Sequence, residues 1–367
     1  MNRVVLPIHE KDEMGSASRN DRASTIIGVD LFCGAGGLTH GLLKGGIKIV
    51  SGIDIDPSCR FPYEANNPAE FLERDISSID PGEIASYYKG ADFTLLAGCA
   101  PCQPFSTYSR SGRSREYSSQ WPLVSKFGQL VKAVQPDFVT MENVPQLSDH
   151  SVFEEFLACL RGYEIWHSSV ECFTIGIPQT RKRLVLLASK HGKVLFSNSG
   201  QNFSENTVRK TIGHLPPLNA GEQSPDDPFH KACALSPLNI SRIRASKPGG
   251  TWRDWETDLQ AICHRKSSGS TYPSVYGRME WDKPAPTITT QCFGFGNGRF
   301  GHPEQDRAIS LREAAMLQTF PETYQFVPKG EFVKFDKMGR LIGNAVPVRL
   351  GEAIAHSFIE HAQKILR

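Results

Sequence analysis

Three apolar runs of this chain end in side chains that could attack and hold an electron-poor ring. The first, LLAGCAPCQPFS (95–106), sets Cys99 and Cys102 either side of Ala-Pro. The second, PDFVTMENV (136–144), ends in Glu142-Asn143, and Gln179, Arg181 and Arg183 lead into a third run, RLVLLAS. A C-x-x-C pair admits a redox couple, half a zinc site, or the frame of one nucleophilic thiolate. Zinc asks for a second pair at close spacing, and none of the other seven cysteines forms one. A thioredoxin-type couple opens a helix directly, whereas Pro104, Phe105 and a polar loop follow here. A thiolate, a carboxylic acid and a guanidinium on one rim favour the third chemistry. The thiolate adds to the ring, and the other two hold the negative charge that develops. No metal site is expected.

A second constellation lies upstream. DLFCGAGGLTHG (30–41) joins a strand to a helix through Gly34, Gly36 and Gly37. Such a turn offers bare N–H groups and lets a ligand approach the backbone. A dinucleotide fingerprint would need glycine at position 39, where Thr39 stands. The next run ends at Asp54-Ile55-Asp56, where a carboxylate can accept both ribose hydroxyl hydrogens. The one after it ends near Asp75-Ile76, where an acid can hold an adenine amine. Ribose and adenine without a pyrophosphate suggest S-adenosylmethionine.

These residues need a scaffold that gathers strand ends. Residues 25–190 alternate STIIGVDLF, IKIVSGIDID, ADFTLLAG, PDFVTMENV and RLVLLAS with helix-like stretches. That is the pattern of an α/β fold with a doubly wound, mostly parallel sheet, whose ligands collect at the C-terminal strand ends. Residues 191–305 are rich in Ser, Gly, Pro, Asn and Arg and weakly periodic, with a small excess of basic over acidic side chains. They read as a smaller, irregular second domain. Order returns at residues 306–367, where Ser310 and Glu313 form a capping box and Pro347 suits a first helical position. Residues 1–24 read as a polar tail. With 39% hydrophobic and 22% charged residues the chain has an ordinary globular composition. A net charge of +2 requires any nucleic-acid surface to be local. Nine scattered cysteines fit a reducing setting rather than a disulfide framework. No apolar run approaches a membrane span, so a cytoplasmic, monomeric protein is expected.

Taken together and in order, DLFCGAGG, GIDIDP, the DI of RDIS, GCAPCQPFS, ENV, QTRKR and GNAVPV (343–348) resemble the C5-cytosine-specific DNA methyltransferases, over nearly the whole chain. The resemblance implies a class I, Rossmann-like AdoMet methyltransferase fold. It further implies methyl transfer to carbon 5 of a flipped-out cytosine in a specific short duplex sequence. Cys102, after Pro101, would be the nucleophile, Glu142 would face the cytosine N3 edge, and Arg183, with Arg181 and Asn143 beside it, the O2 side. Phe32, Leu38 and Ile55 would flank the cofactor, Asp54 its ribose, Asp75 with Ile76 its adenine, and Asn344 with Ala345 its methionine end. Thr287 in KPAPTIT resembles a phosphate-contacting threonine.

The loop 107–120, with Gln103, Ser106 and Tyr108 near its start and Arg110, Arg113 and Arg115 within it, is expected to lie along DNA and insert a side chain. The 191–305 region is expected to read the target, with Arg242, Arg244 and Arg278 on DNA. Ser119-Gln120-Trp121 departs from the family, where an arginine often ends this loop. The expected partner is double-stranded DNA, together with a cognate restriction endonuclease acting on the same site without physical contact. The tRNA-methylating branch of the scaffold is the alternative. Its Cys-Phe-Thr after the recognition region is Cys292-Phe293-Gly294 here.

Overall fold

The computed structural model describes residues 25–101, 121–197, 206–266, 269 and 273–367. Expectations placed on the tail 1–24, on Cys102, Gln103, Ser106 and Tyr108, and on Arg110, Arg113 and Arg115 fall outside these residues.

The strands are β1 (Ile26–Leu31), β2 (Lys48–Asp54), β3 (Glu70–Glu73), β4 (Phe93–Gly98), β5 (Phe138–Asn143), β6 (Glu164–Glu171) and β7 (Lys182–Ser189). They form one sheet in the order β3-β2-β1-β4-β5-β7-β6. The pairs from β3 to β5 are parallel. β7 departs from the expected direction and runs antiparallel to both its neighbours. The link from β6 to β7 holds only one short turn, Cys172–Ile175, and a parallel return would need a crossover of a dozen residues or more. The reversal has a functional result. The start of β7 lies on the same rim as the ends of β4 and β5, with Asn143 opposite Leu184 and Glu142 opposite Val185.

Both faces of the sheet are covered, which explains why β1 and β5 are buried throughout and read as continuous apolar runs. Helices α1 (Gly37–Lys44), α2 (Arg60–Glu64) and α3 (Pro81–Ser86) follow the first three strands. Alternate residues divide between the faces. Val29, Leu31, Leu96 and Val139 pack with Phe127 of α4 (Trp121–Val134) and with Phe153 and Phe156 of α5 (Ser151–Cys159). Leu95, Ala97 and Phe138 pack with Leu38 and Leu42 of α1 and with Leu350, Ile354 and Phe358 on the other face. Each fully buried Leu, Ile or Phe contributes roughly 1.5–3 kcal/mol.

The irregular region carries α6 (Val208–Ile212) and α7 (Pro237–Ala245), short 3-10 turns and isolated bridges such as Arg278 with Gly301. Most of its buried hydrophobic side chains belong to two cores. Val208, Ile212, Phe229, Met279 and Ile288 share a cluster with Tyr63, Phe71 and the segment from Ile309 to Val348. Ile243, Trp252, Trp255, Phe295 and Ala308 form a smaller one of their own.

The chain then returns through α8 (Leu311–Leu317), α9 (Phe335–Asn344) and α10 (Val348–Ile365). The capping box of Ser310 and Glu313 starts α8. Pro347 is the residue before α10 rather than its first residue. α10 crosses α1 at glycines: a Cβ on Gly41 would stand 2.1 Å from the Val348 carbonyl oxygen and 2.7 Å from the Gly351 Cα.

Candidate active site

A cavity of about 650 Å³ opens at the rim where β1, β2, β4 and β5 end and β7 begins. At one end of it, Asp54 closes β2. Its carboxylate accepts the backbone N–H of Gly34 at 2.9 Å and that of Asp56 at 2.9 Å. Burial raises its pKa. Phe32 takes a positive φ of 58°, an unusual backbone state for a bulky residue, and half-buries its ring in the cavity wall. Ile55 lines the same wall yet is 66% exposed. Leu38, Asp75, Ile76, Pro101, Asn344 and Ala345 also line it. Asp75 is exposed, and hydrogen bonding from Ser77 holds its carboxyl below the usual range.

Gly34 has φ 54° and open space where a Cβ would point, so its bare backbone faces the cavity. Gly36 and Gly37 correct the sequence reading: neither lines the cavity. A Cβ on Gly36 would meet Asn67 Nδ2 at 2.7 Å, and one on Gly37 would meet the Val346 carbonyl oxygen at 2.2 Å. These two glycines permit close packing instead.

At the other end, Glu142 is 3% exposed at the end of β5. Its Oε1 lies 2.8 Å from Arg183 Nε, an ion pair not aligned as a hydrogen bond. Its Oε2 accepts the Cys99 thiol at 2.8 Å. Arg181 is buried beside them. Its Nη1 donates to the Ile288 carbonyl at 3.0 Å, while its Nε has no acceptor. Burial, then the neighbouring Arg183, pushes its pKa down to about 9. Gln179 receives the Ile288 N–H at 2.9 Å, so the QTRKR motif grips both backbone groups of Ile288. That fixes half-buried Thr287 beside the rim. Asn143 does not line the cavity. Its Nδ2 donates to the Ala100 carbonyl at 3.0 Å, strapping β5 to the turn that leads from β4 into Pro101 and Cys102.

Among the cavity residues that sequence reasoning missed are Asp30, Cys99 as a wall residue, and Arg340. Asp30 is buried at the end of β1. Thr39 Oγ1 donates to its Oδ2 at 2.7 Å, and its Oδ1 has no partner. Burial raises its pKa to about 7. A lone acid in the apolar run IIGVDL was the available signal. Arg340 of α9 bridges to Asp56 at 2.5 Å, and nothing in its local sequence marked it.

Two arginines expected on DNA are buried instead. Arg242 donates to the Leu259 carbonyl at 2.8 Å and to Asn239 at 3.0 Å. Arg278, 5% exposed, donates to the carbonyls of Ile243, Ser246, His302 and Gln305 and pairs with Asp306. Irregular backbone leaves carbonyls that no ladder satisfies, and a five-donor guanidinium collects them. Arg244 stays exposed but pairs with Asp306 at 3.0 Å.

Comparison with known proteins adds the decisive observation: the family model of the C-5 cytosine-specific DNA methylases matches residues 26–360. The chain belongs to that family. This methylase is 50% identical over 337 residues to the type II methylase M.HgiDII of Herpetosiphon aurantiacus, covering 90% of this chain and 94% of that one. It is 31% identical over 340 residues to the type II methyltransferase M1.HphI of Haemophilus parahaemolyticus, covering 90% and 86%. Among solved structures, its fold matches an Escherichia coli prophage-encoded putative DNA modification methyltransferase with a TM-score of 0.70 at 22% identity, over 92% of this chain and 99% of that one. The family places the methylase among the enzymes that methylate cytosine at carbon 5 in DNA. Among the described residues no group of three or more His, Cys, Asp or Glu could hold a metal ion, and no helix is long and apolar enough to cross a membrane.

Proposed function

We propose that this methylase transfers the methyl group of S-adenosylmethionine to carbon 5 of a cytosine flipped out of a short duplex site, through a covalent bond from Cys102 to carbon 6. We further propose that it is the modification half of a type II restriction-modification system. The observation that carries the proposal is the single cavity shared by Asp30, Asp54 and Asn344 at one end and by Glu142, Arg181 and Arg183 at the other.

The residues fit this cofactor. Asp30 Oδ1, buried and without a partner, leaves a hydrogen-bonding atom unused beside this end of the cavity. Asp54 would hold the ribose hydroxyls, Phe32 and Ile55 would enclose the adenine, and Asn344 would close the methionine end. When bound, S-adenosylmethionine supplies an electrophilic methyl group on a positively charged sulfur.

The chain's own groups act on the base. Pro101 lines the cavity, and Cys102 is the next residue of the chain. The Cys102 thiolate adds to carbon 6, and the electron pair of the ring double bond moves toward carbon 5 and the N3–O2 edge. Arg183 meets that charge where it develops, and Glu142 would do so as a carboxylic acid donating its proton to N3. Once carbon 5 carries the methyl group, its proton passes to water acting as the base, the carbon–sulfur bond breaks and the thiolate is restored. A base inside a duplex cannot be reached this way, so it must leave the stack at a cost of a few kcal/mol.

The test is to incubate the protein with labelled S-adenosylmethionine and either unmethylated phage DNA or tRNA, and map the methylated cytosines. Label is expected at carbon 5 within a fixed short duplex sequence. Label in tRNA alone would refute the assignment. A duplex whose cytosines carry fluorine at carbon 5, which blocks proton loss, should form a covalent adduct with the wild type and none with Cys102→Ser.

A further inference from the structure

The first cysteine of the C-x-x-C pair has a role of its own. We infer that Cys99 is a positioning residue for Glu142: its thiol fixes one carboxylate oxygen so that the other faces the substrate end of the cavity. This rests on the assignment of Glu142 to the cytosine N3 edge.

Cys99 is mounted firmly. Its backbone N–H donates to the Leu31 carbonyl at 3.3 Å, extending the ladder between β1 and β4. The next residue, Ala100, is strapped to β5 by Asn143 at 3.0 Å. From this mount the Cys99 thiol donates to Glu142 Oε2 at 2.8 Å. The other oxygen, Oε1, is buried and has no aligned hydrogen bond, although Arg183 Nε is 2.8 Å away. Arg181 Nε is likewise buried without an acceptor, and Arg181 and Glu142 line the same cavity. Two cavity residues therefore hold one buried acceptor and one buried donor with no hydrogen bond, capacity that a ligand edge carrying a donor and an acceptor could take up.

The thiol decides which carboxylate oxygen is left for that edge. A buried carboxylate costs free energy unless it is hydrogen-bonded, and alanine at position 99 would leave Oε2 unsatisfied and Glu142 free to turn toward Arg183. A serine would keep the donor. A sulfhydryl is a weak donor, so it orients the carboxylate without competing strongly for it.

The experiment uses the full chain in single-turnover methyl transfer from labelled S-adenosylmethionine to unmethylated phage DNA. Cys99→Ala should lower the rate by roughly tenfold, the scale of a lost hydrogen bond to a charged group. The KM for S-adenosylmethionine should stay within about twofold, since the interaction belongs to the base and not to the cofactor. Cys99→Ser should recover most of the rate. In a Glu142→Gln background, Cys99→Ala should cost less than about twofold more, because the two residues act as one unit. Full activity in Cys99→Ala, equal loss in the alanine and serine variants, or additive loss in the double variant would overturn the inference.

A second readout needs no turnover. A carboxylate that accepts the S–H disfavours the thiolate, so Glu142→Gln should make Cys99 alkylate several-fold faster with iodoacetamide, read by mass spectrometry of its peptide. An unchanged alkylation rate overturns the contact itself. If alkylation responds while Glu142→Gln transfers methyl groups at the wild-type rate, the contact stands and the assignment of Glu142 to cytosine fails.

Discussion

Arginines with largely covered side chains do different work in two regions of this methylase. At the sheet rim, Arg181 and Arg183 sit beside a buried carboxylate with hydrogen-bonding capacity left over: an Nε without an acceptor in one, an unaligned ion pair in the other. In the irregular region, Arg278 uses all three of its nitrogens on four carbonyls and Asp306, and Arg242 is held by Leu259 and Asn239. The sheet satisfies its own backbone, so guanidiniums at its edge can be kept for a ligand. A region with few ladders needs its arginines as internal donors. Residue type alone does not separate a binding arginine from a structural one; the hydrogen-bond supply of the surrounding backbone does.

The largest test of this contrast is Arg278→Ala. Removing the centre of a buried charged network should cost about 3–5 kcal/mol, seen as a large fall in melting temperature. A phosphate-binding role would instead leave melting unchanged and weaken DNA affinity with a shallower salt dependence. Next comes Arg183→Ala, which should lower kcat by roughly 10²–10³-fold, as loss of a charge-stabilising donor does, with little change in melting temperature. If Arg183→Ala melts early and Arg278→Ala does not, the contrast is reversed.

Asp30→Asn probes the rim without an arginine. Burial raises the Asp30 pKa from 3.8 to about 7. The folded protein keeps that proton over a range where the unfolded chain has released it, so stability falls as pH rises from about 4 to about 7. The asparagine variant should show a flatter slope in that window and a gain in melting temperature that is larger at pH 8 than at pH 5. An identical slope in both proteins would remove Asp30 as the titrating group.

The smallest effect is expected at the exposed bridge of Arg340 to Asp56, worth about 0–1 kcal/mol. Arg340→Ala should raise the KM for S-adenosylmethionine by no more than about fivefold, and less at high salt. A change of a hundredfold would mean that Arg340 touches the cofactor directly.

The sheet and most of its rim were legible because strands buried on both faces write continuous apolar runs whose ends are punctuated by Gly, Asp or Glu. β6 escaped notice because it is an edge strand, with Val170 its only buried residue, so its alternation is weak. The direction of β7 could not be read either, since a strand's sequence carries no sign of the direction in which its neighbour runs. Gly36 and Gly37 look like ligand-facing glycines in a motif, yet their neighbours Asn67, Tyr324 and Val346 come from remote segments. The irregular region was opaque for a related reason. Its fold is held by side chains reaching distant carbonyls, and those pairings leave no period in the sequence.

The seam between α1 and α10, closed by Gly41 on Gly351, bears on how the enzyme is made. Asn344, Ala345 and Val346 supply one wall of the cavity, and they are synthesised after every group on the opposing walls. During translation the strand ends that carry Cys99, Glu142, Arg181 and Arg183 all emerge before this wall can close, so the compartment is completed only when nearly the whole chain has been made.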